Sequence, residues 1–234
     1  MNWFLRGLRA GTLTERLPGP GDLDTALSPG MPAPTTFPGD VEALEAIALC
    51  PTSALEKNGN VVEVDEDRCV ACMRCKNVAA WRRDALHAHG TGGTQGPLGA
   101  RFGRSIHVRI VDAGDCGACL NELAQINGPS YNLHRFGIFI TPTPRQADVL
   151  LVVGPVTRQM LEPLKIAYEA MPAPKRVVAA GACAASGGIF GPSVMCGAGA
   201  KSAVPVDLVV PGCPPPPLAI VAALRRVCGQ EEWP

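Results

Sequence analysis

From residue 106 onward the chain alternates short apolar runs with polar, glycine-bearing loops. Ile106-His107-Val108-Arg109-Ile110-Val111-Asp112 alternates largely as a strand does, and it runs directly into Gly114-Asp115-Cys116-Gly117-Ala118-Cys119. Phe136 to Thr141 is a second strand-like run. Asp148 to Val153 is continuously apolar after its first residue, the mark of a parallel strand covered on both faces. A helix is predicted from Val156 to Ala170, then a strand from Arg176 to Ala180 entering Gly181-Ala182-Cys183. A last strand, Val206 to Val210, enters Pro211-Gly212-Cys213-Pro214, and a closing helix spans Leu218 to Val227. This alternation of elements specifies an open α/β fold with a mostly parallel sheet.

The upstream part has a different texture. Residues 1–39 begin amphipathically and continue through Leu17-Pro18-Gly19-Pro20-Gly21 and Pro29-Gly30-Met31-Pro32, which reads as an extended docking arm with no core of its own. Residues 40–85 read as a small α+β unit: a short helix, Cys50-Pro51, a hairpin at Asn58-Gly59-Asn60 before Val61-Val62-Glu63-Val64, and a cysteine cluster. Residues 86–102, with the run His89-Gly90-Thr91-Gly92-Gly93-Thr94-Gln95-Gly96, read as a flexible linker to the larger domain, 103–234.

Composition narrows the function classes. The 21 Lys+Arg cancel the 21 Asp+Glu, so no basic excess invites nucleic acid, and aromatics at 5% are too few for a base-stacking platform. Charged residues at 18%, below the average of roughly 25%, and hydrophobic residues at 47% suit a protein with further surface buried against partners. Arg6 and Arg9 interrupt any secretory apolar stretch, and no run approaches a membrane span. The expected location is cytoplasmic with reduced thiols, which makes the ten cysteines metal ligands before anything else.

Cys69-x-x-Cys72-x-x-Cys75 places three thiolates on one tight loop. Two-cluster bacterial ferredoxins carry C-x₂-C-x₂-C-x₃-C-P, in which the fourth Cys ligates the other cluster. Here the fourth position holds Ala79, so the remote ligand must come from an upstream Cys-Pro, and Cys50-Pro51 supplies it. Counting back from Cys50, the three further ligands of a second cluster would fall on Ala46, Ala43 and Asp40. One ligand set is complete and the other wholly absent. The stretch from Cys50-Pro51 through Asp65-Glu66-Asp67-Arg68-Cys69 resembles the middle of a ferredoxin, which implies a half-ferredoxin with one [4Fe–4S] cluster on Cys50, Cys69, Cys72 and Cys75. The alternative is zinc, which prefers tetrahedral sets in C-x₂₋₄-C pairs and matches thiols at i, i+3, i+6 poorly.

Cys116-x-x-Cys119, Cys183 and Cys213 each follow a predicted strand, and such loops converge at the carboxyl edge of an open α/β sheet. Gly114, Gly117, Gly181 and Gly212 let backbone approach the sulfurs there. Isolated buried cysteine is the alternative reading; it suits Cys196 and Cys228. The segments Val111–Cys119, Thr143–Leu150, Gly154-Pro155-Val156-Thr157, Gly181–Gly188 and Pro211–Pro214 together resemble the 20 kDa subunit family. That family unites the complex I subunit carrying the terminal cluster with [NiFe]-hydrogenase small subunits, and the likeness is strongest to membrane-bound hydrogenases of the formate hydrogenlyase type. The resemblance implies a flavodoxin-like α/β domain and one [4Fe–4S] cluster on Cys116, Cys119, Cys183 and Cys213, facing a large subunit. The C-x-x-C at the first position favours the hydrogenase branch over the complex I branch, which has adjacent cysteines. Leu120 stands where formate hydrogenlyase-type subunits have Glu, with Glu122 nearby. The arm Leu5-Arg6-Gly7-Leu8-Arg9-Ala10-Gly11 is similar to the start of polyferredoxin subunits of such complexes.

The implied function is electron transfer in an oxidoreductase complex, through two [4Fe–4S] clusters, to or from a nickel-iron large-subunit site. Implied partners are that hydrogenase or complex I-like large subunit, a ferredoxin-type or other electron-donor subunit, and membrane subunits that hold the chain peripherally on the cytoplasmic face. One alternative is a nickel-free, complex I-like assembly that reduces quinone; another is a zinc-stabilised interaction scaffold. No Ser/His/Asp order, carboxylate pair or H-E-x-x-H supplies substrate chemistry, and Gly187-Gly188 lacks the rest of a phosphate loop. His87 and His89 read as solvated linker histidines, with no carboxylate or Cys spaced to join them; His107 and His134 read as surface positions on or near the sheet. Glu122 and Arg145 are candidates for the large-subunit interface, and Trp3 and Phe4 for contact with membrane or partner.

Overall fold

The computed structural model describes residues 3–10, 30–37, 40–82, 86–91, 96–98, 102 and 105–230. Helix α1 (Trp3–Ala10) exposes Leu5 and Leu8 beside Arg6 and Arg9, while the side chains of Trp3 and Phe4 and the run 17–21 lie outside the described residues. The N-terminal unit contains β1 (Met31–Pro32), β2 (Thr35–Thr36), α2 (Asp40–Ala48), β3 (Leu55–Asn58), β4 (Val61–Val64) and β5 (Trp81–Arg82). Strands β2, β4 and β3 form an antiparallel sheet, and β1 pairs with β5. The β3–β4 hairpin sets Asn58 opposite Val61, and Gly59 at φ +61 supplies the left-handed corner that so short a turn requires. Leu55 and Val62 close against Ala43, Ala46 and Phe37. The last part of the expected free arm is therefore built into this unit: Met31 and Phe37 are buried, and Thr35 pairs with Val62. A unit this small gains core by taking in apolar residues from the chain that precedes it.

The larger domain contains β6 (His89–Gly90), β7 (Ile106–Asp112), α3 (Ala118–Ile126), β8 (Ile138–Ile140), β9 (Val149–Val153), α4 (Leu161–Glu169), β10 (Arg176–Ala180), α5 (Ala182–Ser186), β11 (Leu208–Val210) and α6 (Pro217–Val227). Its sheet runs β6-β11-β10-β9-β7-β8, parallel except for β6. Counted from β7, the five parallel strands lie in the flavodoxin-like order 2-1-3-4-5. Residues Val149 to Val153 are 0% exposed, and alternate side chains serve opposite cores. Val149, Leu151 and Val153 pack in the core of Leu123, Ile220 and Leu224 from α3 and α6. Leu150 and Val152 pack in the core of Leu164 and Ala184 from α4 and α5. Burial on both faces explains the unbroken apolar run.

Two expectations change. Helix α4 begins at Leu161, five residues after the predicted start, because Val156 takes φ +56 and Thr157 bridges to Cys196. The flexible linker is partly structured: His89 pairs with Val209 and Gly90 with Leu208, Ala88 and Leu98 enter the core, and Arg176 donates to Gly96 O at 2.9 and 2.7 Å. Residues 92–95 lie outside the described set. Among the described residues no helix is long and apolar enough to cross a membrane.

Candidate metal centres

In the N-terminal unit, Cys50 follows α2, and Cys69, Cys72 and Cys75 occupy the segment beyond β4. Ala71 at φ +50 and Met73 at φ +64 curl that segment, so that the four cysteines line one largely apolar hollow with Pro32, Leu55 and Trp81. The Ala54 N–H donates to Cys50 Sγ at 3.2 Å, and the Ala71 N–H donates to Cys69. Burial first, then the neighbouring thiols of Cys75, Cys50 and Cys72, push the Cys69 thiol up to about 11 against the Ala71 bond. Burial likewise raises Cys75. Crowded, desolvated thiols ionise together only around a positive core, which is the electrostatic demand a metal meets. Ala43 and Ala46, at two of the positions where a second cluster would need ligands, are 2% and 0% exposed and packed in the core, so side-chain packing fills that place.

The second set lies at the carboxyl edge of the large sheet. Cys116 and Cys119 follow β7, Cys183 opens α5 after β10, and Cys213 follows β11. Their loops approach so closely that only glycine fits: a Cβ on Gly181 (φ +96) would stand 2.8 Å from Cys119 Sγ, and one on Gly188 (φ +54) 2.8 Å from Cys183 Sγ. Asp112 Oδ1 accepts the N–H groups of Gly114 and Asp115 at 2.9 and 2.7 Å, and Asp115 Oδ2 accepts those of Gly117 and Leu120 at 3.0 and 3.2 Å. These bonds fix the segment that carries Cys116 and Cys119. Burial, then the Asp115 charge and the other three thiols, push Cys119 far above the ordinary thiol range. Burial, with Cys213, Cys116 and Asp115 adding to it and the Ile189 N–H opposing, raises Cys183 to about 11. Cys119 and Cys183 are buried, whereas Cys116 and Cys213 are exposed. The loop whose Ile189 N–H reaches Cys183 also exposes Ile189, Phe190, Val194 and Met195.

Tetrahedral zinc with Zn–S bonds of about 2.3 Å holds its sulfurs roughly 3.8 Å apart. Among the described residues, no three cysteine Sγ atoms lie within 4.8 Å of one another; the one such group of potential ligands is Glu66, His87 and His89.

The sets are joined at the junction of the two units. Ser186 Oγ, three residues beyond Cys183, donates to the carbonyl of Asp67, two residues before Cys69, at 2.8 Å. Lys201 Nζ donates to Asp67 Oδ2 at 2.5 Å, and Arg226 reaches the carbonyls of Leu86 and Ala88 at 3.2 and 3.4 Å.

The structure corrects the solvated reading of His87 and His89. His87 Nε2 hydrogen-bonds Glu66 Oε2, and His89 Nε2 donates to Asp67 Oδ1 at 2.8 Å. Sequence separations of 21 and 22 residues leave no local signal for these pairs. Ser186 and Lys201 escape a reading of the sequence for the same reason. His107 and His134 pack beside Phe139, with ring centroids 5.8 and 5.1 Å away. Glu122 is half-buried and Arg145 exposed. Cys228 sits in the core, its thiol raised to about 12 chiefly by burial, and Cys196 is half-buried.

Residues 116–227, which hold the whole second set, match the family described as NADH ubiquinone oxidoreductase, 20 Kd subunit. The probable membrane-bound hydrogenase subunit mbhJ of Pyrococcus furiosus is 46% identical over 120 residues, 51% of this chain and 72% of that protein. Formate hydrogenlyase subunit 7 of Escherichia coli is 41% identical over 126 residues, 54% of this chain and 49% of its own length. An NADH-quinone oxidoreductase subunit of a Geobacter species is 46% identical over 110 residues, 47% of this chain and 64% of that protein. With nearly three quarters of the Pyrococcus protein covered at this identity, the chain belongs to the NADH ubiquinone oxidoreductase 20 kDa subunit family.

Proposed function

We propose that this chain is the electron-transfer small subunit of a membrane-associated [NiFe]-hydrogenase complex of the formate hydrogenlyase type, with two [4Fe–4S] clusters. Cys50, Cys69, Cys72 and Cys75 hold one, in a half-ferredoxin unit; Cys116, Cys119, Cys183 and Cys213 hold the other, in the family domain. What supports the reading is the gathering of two four-thiol sets, whose thiols act on one another within each set, linked to each other through Ser186 and Asp67. The relatives named as membrane-bound hydrogenase and formate hydrogenlyase subunits supply the kind of complex.

A bound [4Fe–4S] cluster supplies reversible one-electron transfer, at a potential set by burial and by hydrogen bonds to its sulfurs. The residues of this chain set those conditions. Ala54, Ala71 and Ile189 direct N–H groups at cysteine sulfur, and Asp115 places a negative charge beside the second set, which favours its oxidised form. Ser186 holds the backbone before Cys69 against the backbone after Cys183. Exposed Cys116 and Cys213, with the apolar loop of Ile189, Phe190, Val194 and Met195, present the second set to a large subunit. The remaining partners are an electron-donor subunit and membrane subunits that hold the chain at the cytoplasmic face.

The 46% identity to an NADH-quinone oxidoreductase subunit favours a second reading, a nickel-free assembly that passes electrons to quinone. Elemental analysis of the complex, purified from its native host without oxygen, separates the two. The hydrogenase reading expects nickel, together with iron and sulfide for about eight atoms of each on this chain beyond those of its partners. Iron without nickel moves the chain to the quinone-linked reading, and zinc without iron overturns both.

A further inference from the structure

We propose that Glu66, His87 and His89 form a binding site for one divalent cation of the zinc class, at the junction between the N-terminal unit and the large sheet. Their ligand atoms all lie within 4.8 Å of one another, and no other group of three potential ligands among the described residues is as compact. Metal–ligand bonds of about 2.0–2.1 Å place tetrahedral ligand atoms roughly 3.4 Å apart. Glu66 Oε2 and His89 Nδ1 stand 3.7 Å apart, while Glu66 Oε2 and His87 Nε2 are in hydrogen-bond contact and need only open slightly. Two imidazoles and a carboxylate are a three-ligand zinc set that leaves a fourth position for water. Imidazole donors also select against magnesium and calcium.

The second observation is the state of His89. A carboxylate can only accept, so the 2.8 Å bond to Asp67 Oδ1 requires a proton on His89 Nε2, and in the neutral ring the lone pair is then on Nδ1. That Nδ1 is buried and has no hydrogen-bond partner, a costly condition that a cation at this point would relieve. An imidazole with one nitrogen toward a carboxylate and the other toward a metal is the usual outer-shell arrangement of ligating histidines. His87 Nε2 carries the proton it shares with Glu66; a cation binds there by displacing that proton to solvent and taking the freed lone pair.

Two cationic side chains lie nearby, and one of them competes. Lys201 pairs with Asp67 Oδ2 at 2.5 Å and leaves the ligand atoms alone. Arg82 Nη2 lies 2.5 Å from Glu66 Oε1 and 3.4 Å from His87 Nε2, so its charge competes with a bound cation for these groups. Its side chain is 42% exposed and can swing into solvent, leaving Oε2 to the metal. Glu66 lies three residues before Cys69, and His89 is on the strand paired with β11. A bound ion would therefore clamp the cysteine loop of the N-terminal unit to the edge of the sheet that carries the other thiol set.

The test uses the anaerobically purified complex incubated with zinc and desalted. Zinc-edge X-ray absorption should show a nitrogen/oxygen shell at about 2.0–2.1 Å with imidazole scattering, at one zinc per chain. His89→Gln and Glu66→Gln should lose that zinc with iron unchanged, and Arg82→Ala should tighten its binding about tenfold in chelator competition by removing the competing charge. Sulfur scattering at about 2.3 Å, zinc retained by both ligand variants, or no bound zinc in the parent complex would overturn the proposal. Iron and nickel contents test the function above separately, so either reading can fail alone.

Discussion

The N-terminal unit takes three of its four thiols from one short segment, Cys69 to Cys75, and reaches back only to Cys50 for the fourth. The large domain collects Cys116, Cys119, Cys183 and Cys213 from loops after β7, β10 and β11, which only the folded sheet brings together. The first set is held by local backbone, with left-handed Ala71 and Met73 turning the segment inside a small core that includes Cys75 itself. The second is held by strand order, over two extensive cores. A local site should tolerate damage to distant packing and depend on its own loop; a topological site should fail when the sheet loosens.

Leu151→Ala gives the largest expected effect. Leu151 is 0% exposed at the centre of β9, the strand between β7 and β10, so truncation should cost about 2–5 kcal/mol. If the two sites are independently built, iron retained after mild heating should fall toward half, as the strand-end set loses its metal while the Cys69 loop keeps its own. Loss of all iron in one transition would show that the junction makes the molecule a single cooperative unit, and the contrast would collapse.

A pair of glycines sharpens the contrast at smaller cost. Gly59, at the hairpin tip, has φ +61, and an added Cβ would meet nothing within 4 Å, so Gly59→Ala should cost about 1 kcal/mol and leave both metal sites intact. Gly181 has φ +96, and a Cβ there would stand 2.8 Å from Cys119 Sγ. Gly181→Ala should cost on the order of 1–3 kcal/mol and displace Cys119, lowering iron content at the strand-end set alone. Chemical denaturation with iron determination checks both. Equal effects from the two substitutions would mean that positive φ, and not the approach to sulfur, fixes glycine at position 181.

What is legible in the sequence follows the same division. The i, i+3, i+6 thiols and the Cys50-Pro51 partner are a spacing pattern, visible without a fold. Val149 to Val153 stands out because burial on two faces erases polar positions. The strand-end thiols become legible through the rule that such loops converge, together with the family resemblance. Two-residue strands such as β1, β5 and β6 carry too few positions for any periodicity, so the linker and the end of the arm read as free chain. The start of α4 falls later than its pattern predicts because a left-handed Val156 is a tertiary constraint that opposes its own β-branched preference. Glu66, Asp67, His87 and His89 meet only once β6 has docked, and no spacing encodes that.

Ser186→Ala has the smallest expected effect and tests where the two regions touch. The hydroxyl proton is shared between Asp67 O at 2.8 Å and Ala182 O at 3.2 Å, and Ser186 Oγ accepts the Gly188 N–H at 3.3 Å. Removing it leaves the Asp67 carbonyl and the Gly188 N–H without these partners, at a cost of about 0.5–1.5 kcal/mol. The Lys201–Asp67 contact and the β6–β11 pairing remain, so the units should stay docked and iron content should not change. Hydrogen exchange should quicken about two- to tenfold at Gly188 and across residues 65–69, with the centre of β9 unaffected. If the two clusters proposed above are both present, magnetic coupling between them in the fully reduced complex should weaken as the backbone before Cys69 gains freedom. Quickening confined to Gly188, with residues 65–69 and the coupling unchanged, would mean that Ser186 braces only its own turn, and that the local and the topological site meet through Lys201 and β6 instead.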